Sequence, residues 1–155
     1  ADPINWINPG SSYAANIATM VIYIVWNALP FKILILLGGL QSVNKQYYDA
    51  AKVDGTSRAR TLWRITVPLL SPMIAYVVIT GFIGGFKEYT SIVGIFGEKM
   101  GPADDPYRLN TMVGLIYNLI ESNQGKAAAG ALILFAIIFA VTLVNLQVSK
   151  KKVHY

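Results

Sequence analysis

Between residues 127 and 148 the chain reads AAAGALILFAIIFAVTLVNLQV, a run without a single charged side chain. A helix needs about 20 consecutive apolar residues to cross the hydrocarbon core of a bilayer, and this run supplies them. Two further apolar segments, residues 12–40 and 67–96, are long enough to do the same. Each approaches about 30 residues, roughly 45 Å of helix, so both are predicted to tilt, kink or project beyond the membrane. Pro30 marks a kink site in the first, because its ring removes one backbone hydrogen bond. Charged residues make up only 14% of the chain, against about 25% in a soluble domain.

Where the charges fall decides the topology. The net charge of +5 forms no stripe of the kind that follows nucleic acid; it gathers at the edges of the apolar segments. The loop 41–66 carries Lys45, Lys52, Arg58, Arg60 and Arg64 against Asp49 and Asp54, and the tail adds Lys150, Lys151 and Lys152. The connection 97–126 opens with GEKMGPADDPYR, three acidic residues against two basic. The positive-inside rule therefore puts loop 41–66 and the tail in the cytoplasm and the 97–126 connection outside. Three spans and a cytoplasmic C-terminus place the N-terminus outside. ADPINWINPG has neither the basic region nor the methionine of a secretory signal, so earlier spans are expected to precede it.

The chain has no cysteine and one histidine, His154, so it offers no disulfide framework and no metal cluster. His154 reads as a solvated terminal residue. Asp104 and Asp105 sit beside Pro102 and Pro106 in the outer connection, where a solvated turn explains them better than acid–base chemistry. Nothing in the chain reads as catalytic. Residues 109–122, LNTMVGLIYNLIES, repeat apolar residues at helical spacing but are too short and polar to span. They are predicted to form an external amphipathic helix against the bundle or the interface.

The cytoplasmic loop holds the most specific pattern. Residues 45–53 suit a short helix with Tyr47, Ala50, Ala51 and Asp54 along one face. Gly55 follows where the left-handed conformation of a helix end is needed, and Thr56 or Ser57 can cap a second helix. In that helix Ala59, Leu62, Trp63 and Thr66 share one face and Arg60 and Arg64 another, with Pro68 opening the next span. The product is a compact helical hairpin continuous with a membrane span. Composition and periodicity leave it open whether this is a coupling element or an ordinary basic loop that happens to be helical.

Asp49-Ala50-Ala51, followed by Gly55, Ile65 and Pro68, resembles the EAA motif of the permeases of ABC importers. The family pattern is Glu-Ala-Ala, three residues, Gly, nine residues, Ile, one residue, Leu, Pro. Asp49 stands here for the glutamate and Val67 for the leucine. DAAKVDGTSRARTLWRITVPLLSP is similar to the sugar-importing subgroup, and in particular to the larger maltose-type subunit. The likeness runs through Pro30-Phe31, Gly101-Pro102 and Gln124-Gly125-Lys126-Ala127-Ala128-Ala129. It implies an all-α integral membrane protein: three transmembrane helices plus a cytoplasmic hairpin, all of residues 1–155 within one transmembrane domain, the C-terminal half of a six-helix permease core. It also implies an inner membrane of a bacterium or archaeon, two cytoplasmic ATPase subunits docked on Asp49, Ala50, Ala51, Asp54, Gly55, Ile65 and Pro68, a second permease subunit and an external solute-binding protein. The chain would bind no cofactor; ATP and magnesium would sit on the partners. In agreement, GFIGGFKEY lacks the lysine-bearing pattern of a phosphate loop.

Polar groups at membrane depth carry the remaining information. Lys87 and Glu88 lie about 28 Å along a straight helix counted from Pro68, between the midplane and the outer face. They read either as a pair snorkelling or pairing with another helix, or as part of a sugar path in which Glu88, Tyr89 and Phe86 offer acceptors and flat apolar faces. Gly81 and Gly85 make a GxxxG spacing, read as close helix packing or as open space beside a ligand. Asn27 and Phe31 flank the Pro30 kink and match, by the resemblance, the path-lining part of that helix; Asn27 can equally bond a neighbouring helix. The substrate-path set is thus Asn27, Phe31, Gly85, Glu88 and Tyr89. Lys32 is expected to reach the cytoplasmic headgroups, and Trp6, Trp26 and Tyr13 to anchor at the interface.

The function these readings converge on is a permease subunit for a sugar or oligosaccharide. Two alternatives stand beside it: the same machinery carrying glycerol phosphate or an amino acid, and a membrane assembly protein that transports nothing.

Overall fold

The computed structural model describes residues 4–152, with the side chains of 150–152 outside that description; His154 lies beyond it. All regular structure among the described residues is helical. The helices are α1 (Tyr13–Ser42), α2 (Lys45–Val53), α3 (Arg58–Thr61), a π-helical stretch (Leu62–Thr66), α4 (Val67–Leu69), α5 (Ser71–Phe86), α6 (Thr90–Phe96), α7 (Met112–Ile120) and α8 (Gln124–Lys152). Two of them, Tyr13–Ser42 and Gln124–Ser149, are long and apolar enough to cross a membrane; Arg58–Leu69 with Ser71–Phe86 adds a third if the bent pair is one span. The chain divides into two compact units, Ala1–Ala28 with Ile83–Ala140 and Leu29–Phe82 with Val141–Tyr155.

In the first unit, Ser12 starts α1 by accepting a hydrogen bond from the Ala15 amide at 3.2 Å, the usual N-cap geometry. Met20, Ile92, Met100 and Leu109 form the buried apolar cluster, with Ile24, Tyr89, Val93 and Phe96 packed around it. The connection that follows α6 is built onto that cluster. It folds back on itself through Tyr107 N–H to Lys99 C=O at 2.7 Å and Leu109 N–H to Met100 C=O at 2.9 Å. Thr111 then caps α7, accepting from the Gly114 amide at 3.2 Å, and Asn123 caps α8, accepting from the Lys126 amide at 3.0 Å. The amphipathic segment read over 109–122 is helical over Met112–Ile120.

A polar clasp fixes the start of α1 to this connection. Arg108 donates to the Ser11 carbonyl at 2.7 Å and to Asn16 Oδ1 at 3.2 Å, and its Nε pairs with Asp105 at 2.7 Å. Asn16 is 0% exposed, and its amide donates to the Trp6 carbonyl and the Ser11 hydroxyl. The buried Asn16 amide is thereby answered at both its nitrogen and its oxygen, as burial demands.

In the second unit, α1 and α5 run antiparallel. Gly39 faces Leu70 and Met73 so closely that a Cβ there would stand 2.7 Å from Met73 Cγ. This glycine is what lets the two backbones approach. The sequence reading gave that role to Gly81 and Gly85. Nothing lies within 4 Å of a Cβ on Gly85, and the neighbour of Gly81 is the Lys32 side chain.

The segment 67–96, read from sequence as one span, is interrupted twice. Pro68 has no N–H to give the Arg64 carbonyl, and its ring would clash there. The ladder shifts ahead of it to the wider π pattern, with Val67 N–H bonded to the Leu62 carbonyl. Pro72 poses the same problem four residues on, and between Leu69 and Ser71 the helix bends by 68°. The second interruption is at Lys87–Tyr89, where α5 ends and α6 begins.

Candidate functional site: the hairpin and the interrupted helix

The hairpin is defined by its caps. Asn44 accepts from the Gln46 amide at 2.9 Å and opens α2. At the other end Gly55 takes φ +65°, and two bonds close the helix: Thr56 N–H to Ala51 C=O at 2.9 Å and Gly55 N–H to Lys52 C=O at 3.1 Å. That pair is the Schellman arrangement. Of the two hydroxyls able to cap the next helix, Ser57 does so, accepting from the Arg60 amide at 3.4 Å.

The faces differ from the sequence reading in two respects. Ala51 is buried, while Tyr47, Ala50 and Val53, three residues apart along α2, are exposed. Ala51 therefore packs inward and does not share an outer face with Tyr47. Thr66 is buried and bonded to Tyr48, hydroxyl to hydroxyl at 3.2 Å, whereas Trp63 is 68% exposed. The reason is the π turn, whose wider repeat rotates Thr66 away from the stripe that an α-helix would give it with Trp63. The outer face so formed combines Tyr47, Val53 (88% exposed), Leu62 and Trp63.

Of the coupling residues, Asp49 is exposed and forms a surface pair with Lys52 at 3.6 Å. Asp54 caps α2 with its own N–H bonded to the Ala50 carbonyl at 3.0 Å. Ile65 and Pro68 are half-buried in the π stretch and α4. All seven belong to the second unit.

The path residues are placed as follows. Glu88 and Tyr89 occupy the break between α5 and α6. One Glu88 carboxylate oxygen accepts from the Ser91 amide at 3.1 Å, and the other has no bond among the described residues. Tyr89 stacks on Tyr117 with ring centroids 4.5 Å apart and planes 12° from parallel. Gly85 lies one turn before the break with open space above it. Asn27 is exposed on α1 in the same unit; Phe31, 63% exposed, belongs to the other. Lys32, half-buried on α1, brings its Nζ to 3.3 Å from where a Cβ on Gly81 would stand. No group of acidic, histidine or cysteine residues among the described ones could hold a metal ion.

Among the described residues the regular structure is all helical, with two helices long and apolar enough to span, a bent pair that can make a third and a doubly capped hairpin, the make-up of a polytopic membrane component. Its sequence matches the family described as the binding-protein-dependent transport system inner membrane component over residues 8–154. The chain belongs to that family. It is 31% identical over 149 residues to the arabinooligosaccharides transport system permease protein AraP of Bacillus subtilis, covering 95% of this chain and 45% of that one. It is 31% identical over 149 residues to the trehalose/maltose transport system permease protein MalF of Thermococcus litoralis (96% and 48%). It is 30% identical over 139 residues to the sn-glycerol-3-phosphate transport system permease protein UgpA of Brucella abortus (88% and 46%). The resemblance to sugar permeases of the maltose type is thus borne out. The chain spans about half the length of the curated relatives it matches.

Proposed function

We propose that this chain forms part of the translocation path of an ABC importer for a sugar or oligosaccharide and passes the work of cytoplasmic ATPases into that path. The observation that carries the reading is the hairpin. A nine-residue helix closed at both ends by side-chain and Schellman caps is a rigid body. It turns Tyr47, Val53, Leu62 and Trp63 outward, on a surface that also bears five basic residues. Exposed apolar area of this kind marks a partner's seat.

In this reading Asp49, Ala50, Ala51, Asp54, Gly55, Ile65 and Pro68 form and support the seat of one of two ATPase subunits, which bind ATP and magnesium. The other oxygen of Glu88, the Tyr89 ring, Gly85, Asn27 and Phe31 contribute to the solute path. A second permease subunit completes that path, and an external solute-binding protein delivers to it. The hairpin and C-terminus face the cytoplasm and the 97–126 connection faces outward, in an inner membrane.

The test is a disulfide crosslink. Val53→Cys in the assembled complex should link to cysteines placed along the cleft of the ATPase subunit, and the link should abolish solute-stimulated ATP hydrolysis. Linkage only to lipid-phase reagents would remove the reading. A second solute class, glycerol phosphate, is favoured by the likeness to UgpA. A panel of solutes tested for ATPase stimulation in the reconstituted complex separates it from neutral sugars.

A further inference from the structure

We propose that Tyr117 is a positioning residue for the solute path: from α7 it fixes the ring of Tyr89, and with it the break between α5 and α6. The inference rests on the permease reading above, which gives Glu88 and Tyr89 to the path, and adds to them a residue from a helix outside that set.

Tyr89 has little of its own to hold it. It stands ahead of α6 as the N-cap, and its side chain makes no capping bond there. The neighbouring Glu88 supplies that bond instead, accepting from the Ser91 amide at 3.1 Å. The Tyr89 side chain packs against the buried cluster of Met20, Ile92, Met100 and Leu109. Its ring stacks on that of Tyr117, with centroids 4.5 Å apart and planes 12° from parallel. Aromatic pairs have preferred mutual geometries, which aliphatic neighbours do not impose. Tyr117 therefore sets the plane of the Tyr89 ring.

The helix that carries Tyr117 is a firm base. Thr111 caps α7, accepting from the Gly114 amide at 3.2 Å. Gly114 is buried and lies against the Met100 thioether and the Asn110 side chain. Ile116 lies over Gly130 of α8, where a Cβ would stand 3.2 Å from its Cγ1. Both contacts fall within one turn of Tyr117. A tyrosine on a pinned helix thus meets a tyrosine at a helix break, and the first orders the second. Solute sites combine aromatic walls with a few fixed polar groups, and a wall ordered beforehand spares the solute the entropy of ordering it. Tyr117 acts on solute affinity through Tyr89, whereas a mere brace of the fold would act on stability alone.

The experiment uses the complete complex in proteoliposomes with its solute-binding protein. It reads KM and kcat of solute-dependent ATP hydrolysis for maltose, trehalose and arabinotriose. Tyr117→Leu should raise KM about threefold to tenfold, the worth of one aromatic pair, with kcat little changed. Tyr117→Phe keeps the ring and should stay within about twofold of the parent. Tyr89→Leu should raise KM as well, and Tyr89→Leu with Tyr117→Leu should be no worse than Tyr89→Leu alone, because the second change has nothing left to act through. KM effects that multiply in the double variant overturn the proposal. So does a loss in Tyr117→Phe equal to that in Tyr117→Leu, which would make the hydroxyl a direct ligand. An unchanged KM in Tyr117→Leu, or a complex that no longer assembles, makes Tyr117 a brace of the fold and overturns it too. All of these leave the permease reading intact. A parent whose ATP hydrolysis responds to none of the three sugars removes the sugar-permease reading and this proposal together.

Discussion

The hydroxyls of Tyr48 and Thr66 stand 3.2 Å apart, joining the first helix of the hairpin to the π turn that follows the second. Eighteen residues separate the two in sequence. Without this bond α2 would be held to its neighbour by the short turn at Gly55 and the packing of Ala51. Tyr48→Phe should loosen the joint by about 1 kcal/mol, the net worth of one such hydrogen bond. Amide hydrogen exchange over Lys45–Val53 should then quicken roughly fivefold, while exchange in α8 stays as it was.

Gly55 sits at φ +65° with nothing within 4 Å of the place a Cβ would take. Substitution there acts through backbone strain, with no steric clash to relieve. Gly55→Ala should cost about 1–2 kcal/mol and, under the docking proposed above, weaken capture of an ATPase subunit by about tenfold. Gly55→Asn, which tolerates the left-handed region better, should recover most of that affinity. Equal loss in both variants would point to contact with a partner as the function of this glycine.

Arg108 joins Ser11, Asn16 and Asp105, and its side chain is 20% exposed. Arg108→Ala should destabilise the first unit by about 2–4 kcal/mol, because it removes charge-assisted bonds and leaves Asn16 without a donor for its buried oxygen. Thermal unfolding of the detergent-solubilised complex reads this directly. Arg108→Lys should recover little, since one ammonium cannot reproduce a planar fork aimed at three acceptors.

Gly114 faces Met100, which is fully buried. A methyl group on Gly114 would overlap the Met100 thioether and the Asn110 side chain. Gly114→Ala should therefore cost about 1–3 kcal/mol through overpacking, and Met100→Ala in the same chain should return part of it. The same thermal assay checks both, with the double variant expected between the parent and the single.

The parts of this architecture that show in the sequence are those encoded by near neighbours. Asn44, Gly55 and Ser57 specify helix ends through bonds that reach two to five residues, so the hairpin can be read off the stretch 44–60. The amphipathic repeat of Met112, Val113 and Ile116 is equally local. What stays hidden is set by distance or by competition. Arg108 meets Asn16 across 92 residues, and neither residue's neighbours signal the other. Pro68 reads as the start of a span, yet Pro72 behind it decides the bend. The meeting of Lys32 with Gly81 depends on the register of α1 against α5, which no local run of residues encodes.

The 68° bend between Leu69 and Ser71 makes the segment an elbow. Its shorter arm, Arg58–Leu69, is twelve residues, about 18 Å. Rocking that arm by about 10° sweeps its free tip through about 3 Å. Because the two arms lie far from parallel, a sideways sweep at the tip becomes a rotation of the longer arm about its own foot. A sideways push on one arm is thereby redirected into the other, as by a bell crank, and two prolines set the angle at which the exchange is made.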